Sequence, residues 1–85
     1  MNVLIEGTTI NHIVCENFHD KSAGRIRVRP IHGQNLPLDL MIECSEEERK
    51  KHPLGTRFNA YDLRVCRKPS GKLYLRAKGQ MIYKV

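Results

Sequence analysis

Hydrophobic and polar residues alternate on both sides of a short polar turn between positions 62 and 78, and the two arms match. The turn, Lys68-Pro69-Ser70-Gly71-Lys72, has proline to pre-set φ at its first position and glycine to take the left-handed position that follows. That is the chemistry of a three-residue loop built on a type I turn with a bulge. Such a loop pairs Lys68 with Lys72. Counting outward sets Arg67 opposite Leu73, Cys66 opposite Tyr74, Val65 opposite Leu75, Arg64 opposite Arg76, Leu63 opposite Ala77 and Asp62 opposite Lys78. Side chains alternate across a strand, so Leu63, Val65, Leu73, Leu75 and Ala77 share one face. Asp62, Arg64, Cys66, Lys68, Lys72, Tyr74, Arg76 and Lys78 share the other. A loop one residue shorter would mix the faces, so turn chemistry and hydrophobic pattern select the same register.

The same reading predicts strands at 3–5 and 9–18, a turn at 20–24, and a strand at 25–29 with Ile26 and Val28 inward and Arg25, Arg27 and Arg29 outward. Pro30 lacks a backbone donor, which ends that strand or puts it at an edge. Residues 32–35 form a loop. Residues 36–44 read as a strand with Leu36, Leu38, Leu40 and Ile42 on one side. Ser45, followed three residues later by Glu48, is a capping box opening a helix of about two turns, with acids at its start, bases at its end, and Pro53 and Gly55 to stop it. The strand after Gly55 changes phase, because Phe58 and Ala60 are even-numbered and Leu63 and Val65 odd; a β-bulge near 60–62, adding one residue, would reconcile them. From Leu73 to Val85 one phase persists for longer than a small flat sheet can use, so a bend is expected at Gly79. These features predict a mainly β fold with one short helix: a single domain over 1–85, built as a five- to six-stranded, mostly antiparallel, partly open barrel of the OB or SH3-like kind. A flat sheet carrying one helix is the alternative.

The segment His52-Pro53-Leu54-Gly55-Thr56-Arg57-Phe58, preceded by an acidic helix and followed by a strand, a hairpin and Leu73-Tyr74-Leu75, resembles the C-terminal halves of small uncharacterised bacterial proteins of the integron-cassette type. The resemblance covers about the last forty residues. It implies a compact β-barrel and a bacterial mobile-element setting, and no known activity.

Charge and cysteine content narrow the function classes. The chain has 85 residues and a net charge of +6. Residues 1–44 sum to −1 and residues 45–85 to +7, which favours anionic partners and assigns the positive potential to the second half. A domain of this size buries only about 60–65% of its unfolded surface, so its core is thin. Three widely spaced cysteines argue against a disulfide framework and read as free thiols in or near the core. No apolar run approaches the ~18 residues of a membrane helix, and the start of the chain does not read as a signal peptide, so a cytoplasmic protein with no membrane partner is expected.

The candidate site is the outward face of the hairpin. The ring of Tyr74 offers a stacking surface for a base, while Arg64, Arg76, Lys72 and Lys78 face phosphates; this predicts single-stranded nucleic acid or another polyanion as partner. Arg25, Arg27 and Arg29 form a second basic stripe, and the sequence leaves open whether the two stripes adjoin. The plainer reading is a solvated charge lattice in which Asp62 relieves the repulsion between Arg64 and Arg76. A different class also fits: a protein-interaction or adaptor module, or a homo-oligomer, using an exposed edge or an apolar patch at Tyr61, Met81 and Tyr83. The facing of Tyr61, left open by the bulge, bears on both. His12, Cys15 and His19, with His32, Cys44, His52 or Cys66, lack the close paired spacing of a zinc site, so neither metal nor cofactor is expected. Cysteine with histidine lacks a third orienting group, and Glu46, Glu47 and Glu48 are explained by the helix start. There is no phosphate loop, dinucleotide fingerprint or nucleophile elbow, so no catalytic residue is assigned and an enzyme is not expected.

Overall fold

The computed structural model describes residues 4–85. The chain runs β1 (Thr9–Asp20), β2 (Arg25–Pro30), β3 (Ile42–Glu43), α1 (Glu46–Lys50), β4 (Arg57–Arg67), β5 (Leu73–Arg76), a 3₁₀ turn at Lys78–Gln80 and β6 (Tyr83–Lys84). The strands form one six-stranded sheet in the order β2-β1-β4-β5-β3, with β6 also paired to β4. All pairings are antiparallel except that of β3 with β5. The sheet curls so that its two ends, β2 and β3, lie beside each other, but no ladder joins them.

The hairpin has the register its turn dictates, from Arg67 opposite Leu73 to Arg64 opposite Arg76. Gly71 sits at φ 94°, and the Lys68 N–H donates to Lys72 O at 2.9 Å. The ladder ends at Arg64–Arg76, so the pairings outward of it, Leu63 with Ala77 and Asp62 with Lys78, are absent. Leu63, Val65 and Leu75 are fully buried with Phe58, Val28 and Ile82, and burial of each such side chain stabilises the fold by roughly 1.5–3 kcal/mol.

The phase change in β4 is present, with a different cause. Ile10 pairs with Leu63 and His12 with Tyr61, so neither strand holds an extra residue. Both strands change facing together, at a kink where Asp62 takes φ 50°. Phe58 and Ala60 are buried before it, Leu63 and Val65 after it, and Tyr61 and Asp62 are both turned out.

Three other expectations are corrected. Residues 36–44 contain only the two strand residues of β3; Pro37 has no N–H to offer a ladder, and its carbonyl accepts from Leu40 N–H at 3.2 Å in a turn. Leu40, Ile42 and Cys44 are buried in the even phase although only Ile42 of the three is in a ladder, opposite Leu75, while Leu38 is exposed. In the 3–5 segment, Leu4 and Ile5 are not strand and Val3 lies outside the described residues. The bend at Gly79 becomes a break, because Gly79 and Gln80 both take left-handed φ, 60° and 59°. The inward phase then moves from odd to even, so Ile82 enters the core and Met81 and Tyr83 face outward.

α1 is shorter than two turns, and only half of its capping box forms. The Glu48 N–H donates to Ser45 Oγ at 3.3 Å, but the Ser45 N–H donates to Gln80 O at 2.7 Å instead of to Glu48. What seats the helix is Asn17, a polar residue buried in β1. Its Nδ2 donates to Arg49 O at 3.0 Å and His52 O at 3.2 Å, while its Oδ1 accepts from Thr56 N–H at 3.0 Å. With all its polar atoms partnered, Asn17 fixes the helix end to the sheet.

Candidate nucleic-acid interface

The gap between the two ends of the sheet is spanned by one side chain. Arg49 projects from α1 and donates through Nε to Ile26 O on β2 at 3.0 Å and through Nη1 to Cys44 O, just after β3, at 2.6 Å. A planar guanidinium suits this task because its donors point in fixed directions. The sequence marked Arg49 only as a base at a helix C-terminus, and no local pattern reveals the bridge.

Beside that seam lies an open cavity of about 440 Å³. Arg25 and Arg27 of β2 line one side, Lys68 and Tyr74 of the hairpin line another, and β3 and Arg49 contribute the surface between. The cavity thus brings Arg25 and Arg27 together with the turn end of the hairpin, at Arg67, Lys68 and Tyr74, while Arg64, Arg76, Lys72, Lys78 and Arg29 do not line it. Among the described residues Arg25 and Lys68 have no carboxylate partner, and Arg49 is bound only to carbonyls. Lys68 Nζ stands 5.8 Å from the centroid of Tyr74, a cation over the ring the hairpin presents. Glu43 and Glu46 also line the cavity, and each already has a base: Glu43 accepts from Arg76 Nε at 2.8 Å, and Glu46 accepts from Lys50. The Lys50 bond, then its charge, holds the Glu46 carboxyl below the usual range.

The remaining predicted site residues are dispersed. Arg64 and Arg76 face each other across the hairpin as expected. Glu43, not Asp62, supplies the counter-charge, and its hydrogen bond, ahead of its charge, raises the Arg76 pKa further. Arg64 and Lys78 are exposed without a carboxylate partner among the described residues. Lys72 lies 3.9 Å from Asp39. Arg29 is turned away, donating to Glu16 at 3.2 Å and lying 4.2 Å from the Phe18 ring centroid. Arg27 reaches Asp20 at 3.6 Å. Asp20 is itself held below the usual carboxylate range, first by the Ser22 hydroxyl and less by Arg27.

Tyr61 faces outward, and its neighbours are not Tyr74. His12 stacks on it at 4.9 Å between ring centroids, and Tyr83 lies at 5.9 Å. The cysteines are free thiols, with Cys15 and Cys44 in the core and Cys66 half-buried. Burial, with a smaller contribution from neighbouring Cys44, pushes the Cys15 thiol up to about 12, the opposite of what a nucleophile needs. Among the described residues no three histidine, cysteine or acidic side chains gather as a metal site, and no helix is long and apolar enough to cross a membrane. Compared with models of protein families, with curated proteins and with solved structures, the chain matches none.

Proposed function

We propose that this chain is a small basic binding module for single-stranded nucleic acid, with the cavity between β2 and the hairpin receiving its phosphates. One observation carries the reading: Arg25 and Arg27 of β2, Arg49 of α1, and Arg67 and Lys68 of the hairpin, from distant parts of the sequence, line a single cavity of about 440 Å³ with Tyr74. The acids that line it are already paired, whereas Arg25 and Lys68 are not, so the local field favours an anion. Tyr74 supplies a π-surface that any base can use, which gives affinity without sequence preference. The curled sheet, drawn together at its seam by Arg49, is read as a partly open barrel of the OB or SH3-like kind. The resemblance of about the last forty residues to integron-cassette-type proteins adds a bacterial mobile-element setting, and a cytoplasmic location is part of the same reading. The reading assigns binding and no catalysis.

The test is titration of a fluorescein-labelled single-stranded oligonucleotide at low and at moderate salt, followed by anisotropy. Single strands lose roughly 0.7 log units of affinity per log unit of salt for each phosphate neutralised, so contacts by Arg25, Arg27, Arg49 and Lys68 predict a slope near −3. R25E with K68E is expected to weaken binding by tenfold or more at low salt. Flat anisotropy at both salt concentrations removes the reading; tight binding of a protein partner with little salt dependence would favour an adaptor.

A further inference from the structure

The three-ring cluster His12, Tyr61 and Tyr83 sits on the outward side of β1, β4 and β6, and the cavity does not use it. Exposed tyrosines are ordinarily free to change rotamer, but these are held. His12 Nε2 donates to Asn59 Oδ1 at 2.7 Å and the His12 ring backs one face of Tyr61 at 4.9 Å. Tyr83 closes on it at 5.9 Å with the planes tilted by 57°, which leaves the rings splayed. Even so, Tyr61 remains 46% exposed and Tyr83 51%. Large aromatic surfaces fixed in place and left half in water have already lost the conformational freedom that binding would otherwise remove.

The charge around the cluster identifies its occupant. Arg57 and Arg64 flank Tyr61 on the outer side of β4, four and three positions away, and neither has a carboxylate partner within ion-pair distance among the described residues; the exposed Asp62 offsets part of this charge on the Arg64 side. An apolar surface for a second protein has its charge at a distant rim and is depleted of charge at the centre. Rings bracketed along one strand by free guanidinium groups match alternating bases and phosphates. From Arg64 the outward side continues through the Cys66–Tyr74 pair to Lys68, which lines the cavity.

We propose that His12, Tyr61 and Tyr83 form a second contact for the same nucleic-acid strand, stacking its bases while Arg57 and Arg64 take the adjoining phosphates. This rests on the reading of the cavity as a phosphate site, and the experiment separates the two. Binding of a single-stranded oligonucleotide and of an abasic strand of equal length is measured for the wild-type chain, for Y61A with Y83A, and for Y61F with Y83F. The expected result is that the wild type prefers the base-bearing strand by about tenfold or more, that the alanine pair reduces this preference to what Tyr74 alone supplies but still binds both strands, and that the phenylalanine pair keeps it in full. The chain has no tryptophan and three tyrosines, so emission of Y74F comes from Tyr61 and Tyr83 alone and is expected to be quenched by the base-bearing strand only. This second measurement decides the matter if the alanine pair does not fold. Absence of quenching in Y74F, with the alanine pair preferring the base-bearing strand as much as the wild type does, overturns the stacking contact and leaves the cavity reading intact. No binding of either strand removes both. A wild-type dimer that becomes a monomer in the alanine pair shows instead that a second copy covers the rings.

Discussion

The hairpin turn and the corner around Asn17 are both tight reversals held by hydrogen bonds, but they draw on different stretches of chain. At the hairpin every partner lies within five residues: Gly71 N–H donates to Lys68 O at 2.8 Å and Lys68 N–H to Lys72 O at 2.9 Å. At the helix corner one side chain of β1 holds Arg49 O, His52 O and Thr56 N–H, which lie 32, 35 and 39 residues further on. A pentapeptide determines the first structure, whereas the second exists only when the sheet has already formed. Damage should therefore stay local in one and spread in the other.

Asn17→Ala is the sharpest way to expose this contrast. It leaves Thr56 N–H and two carbonyls without their partners in a part-buried corner, at about 1–3 kcal/mol for each buried group left unmade, and a total of roughly 3–5 kcal/mol is expected. Against a total stability of about 5–15 kcal/mol, the urea midpoint should fall far, and α1 should lose its amide protection together with the ends of β1 and β4. Gly71→Ala is expected to cost only about 1–2 kcal/mol, because φ is 94° but no atom lies within 4 Å of the added Cβ. Loss of protection confined to residues near the turn would uphold the distinction, and global unfolding would break it.

Gln34→Ala tests an intermediate case. The amide of Gln34 imitates a strand beside β1, accepting from Val14 N–H at 2.7 Å and donating to Val14 O at 2.8 Å. Since Val14 O retains the Ile31 N–H, a loss of about 1–2 kcal/mol is expected in urea melts. The smallest effect belongs to Glu43→Gln, which removes an exposed, solvent-screened ion pair with Arg76 and should leave the urea midpoint nearly unchanged.

The buried thiols add a pH arm. The Cys15 thiol has its pKa raised from 9.0 to about 12 in the folded chain, so between those values the unfolded chain loses a proton that the folded chain keeps. Stability is unaffected by this group below pH 9 and falls progressively as pH rises towards 12. A thiol reagent at neutral pH is expected to label Cys66 first, and Cys15 and Cys44 only as the chain unfolds.

What was legible in the sequence follows the same division. The hairpin register, the Ser45 cap and the edge position of Pro30 each depend on residues within one turn or one strand, and each is found. The bend at Gly79 was legible as a place but not in its consequence, since only the paired left-handed geometry of Gly79 and Gln80 reverses the facing of Ile82 and Tyr83. Residues 36–44 misled because alternation reports burial, and Leu40 and Cys44 are buried outside the two-residue ladder of Ile42 and Glu43. Composition likewise counted the arginines of β2 but not the carboxylates that occupy two of them: Asp20 and Glu16 meet Arg27 and Arg29 only once β1 and β2 pair. Tyr61 could not be oriented because its facing depends on a kink that β1 and β4 share.

The Arg49 bridge determines how the molecule opens. A ladder between β2 and β3 would have to be unzipped bond by bond, while a single guanidinium that touches Ile26 and Cys44 can let go in one rotamer change. The hydrogen bonds across the seam therefore belong to one long side chain rooted in a helix of five residues, where a ladder would have spread them along two backbones.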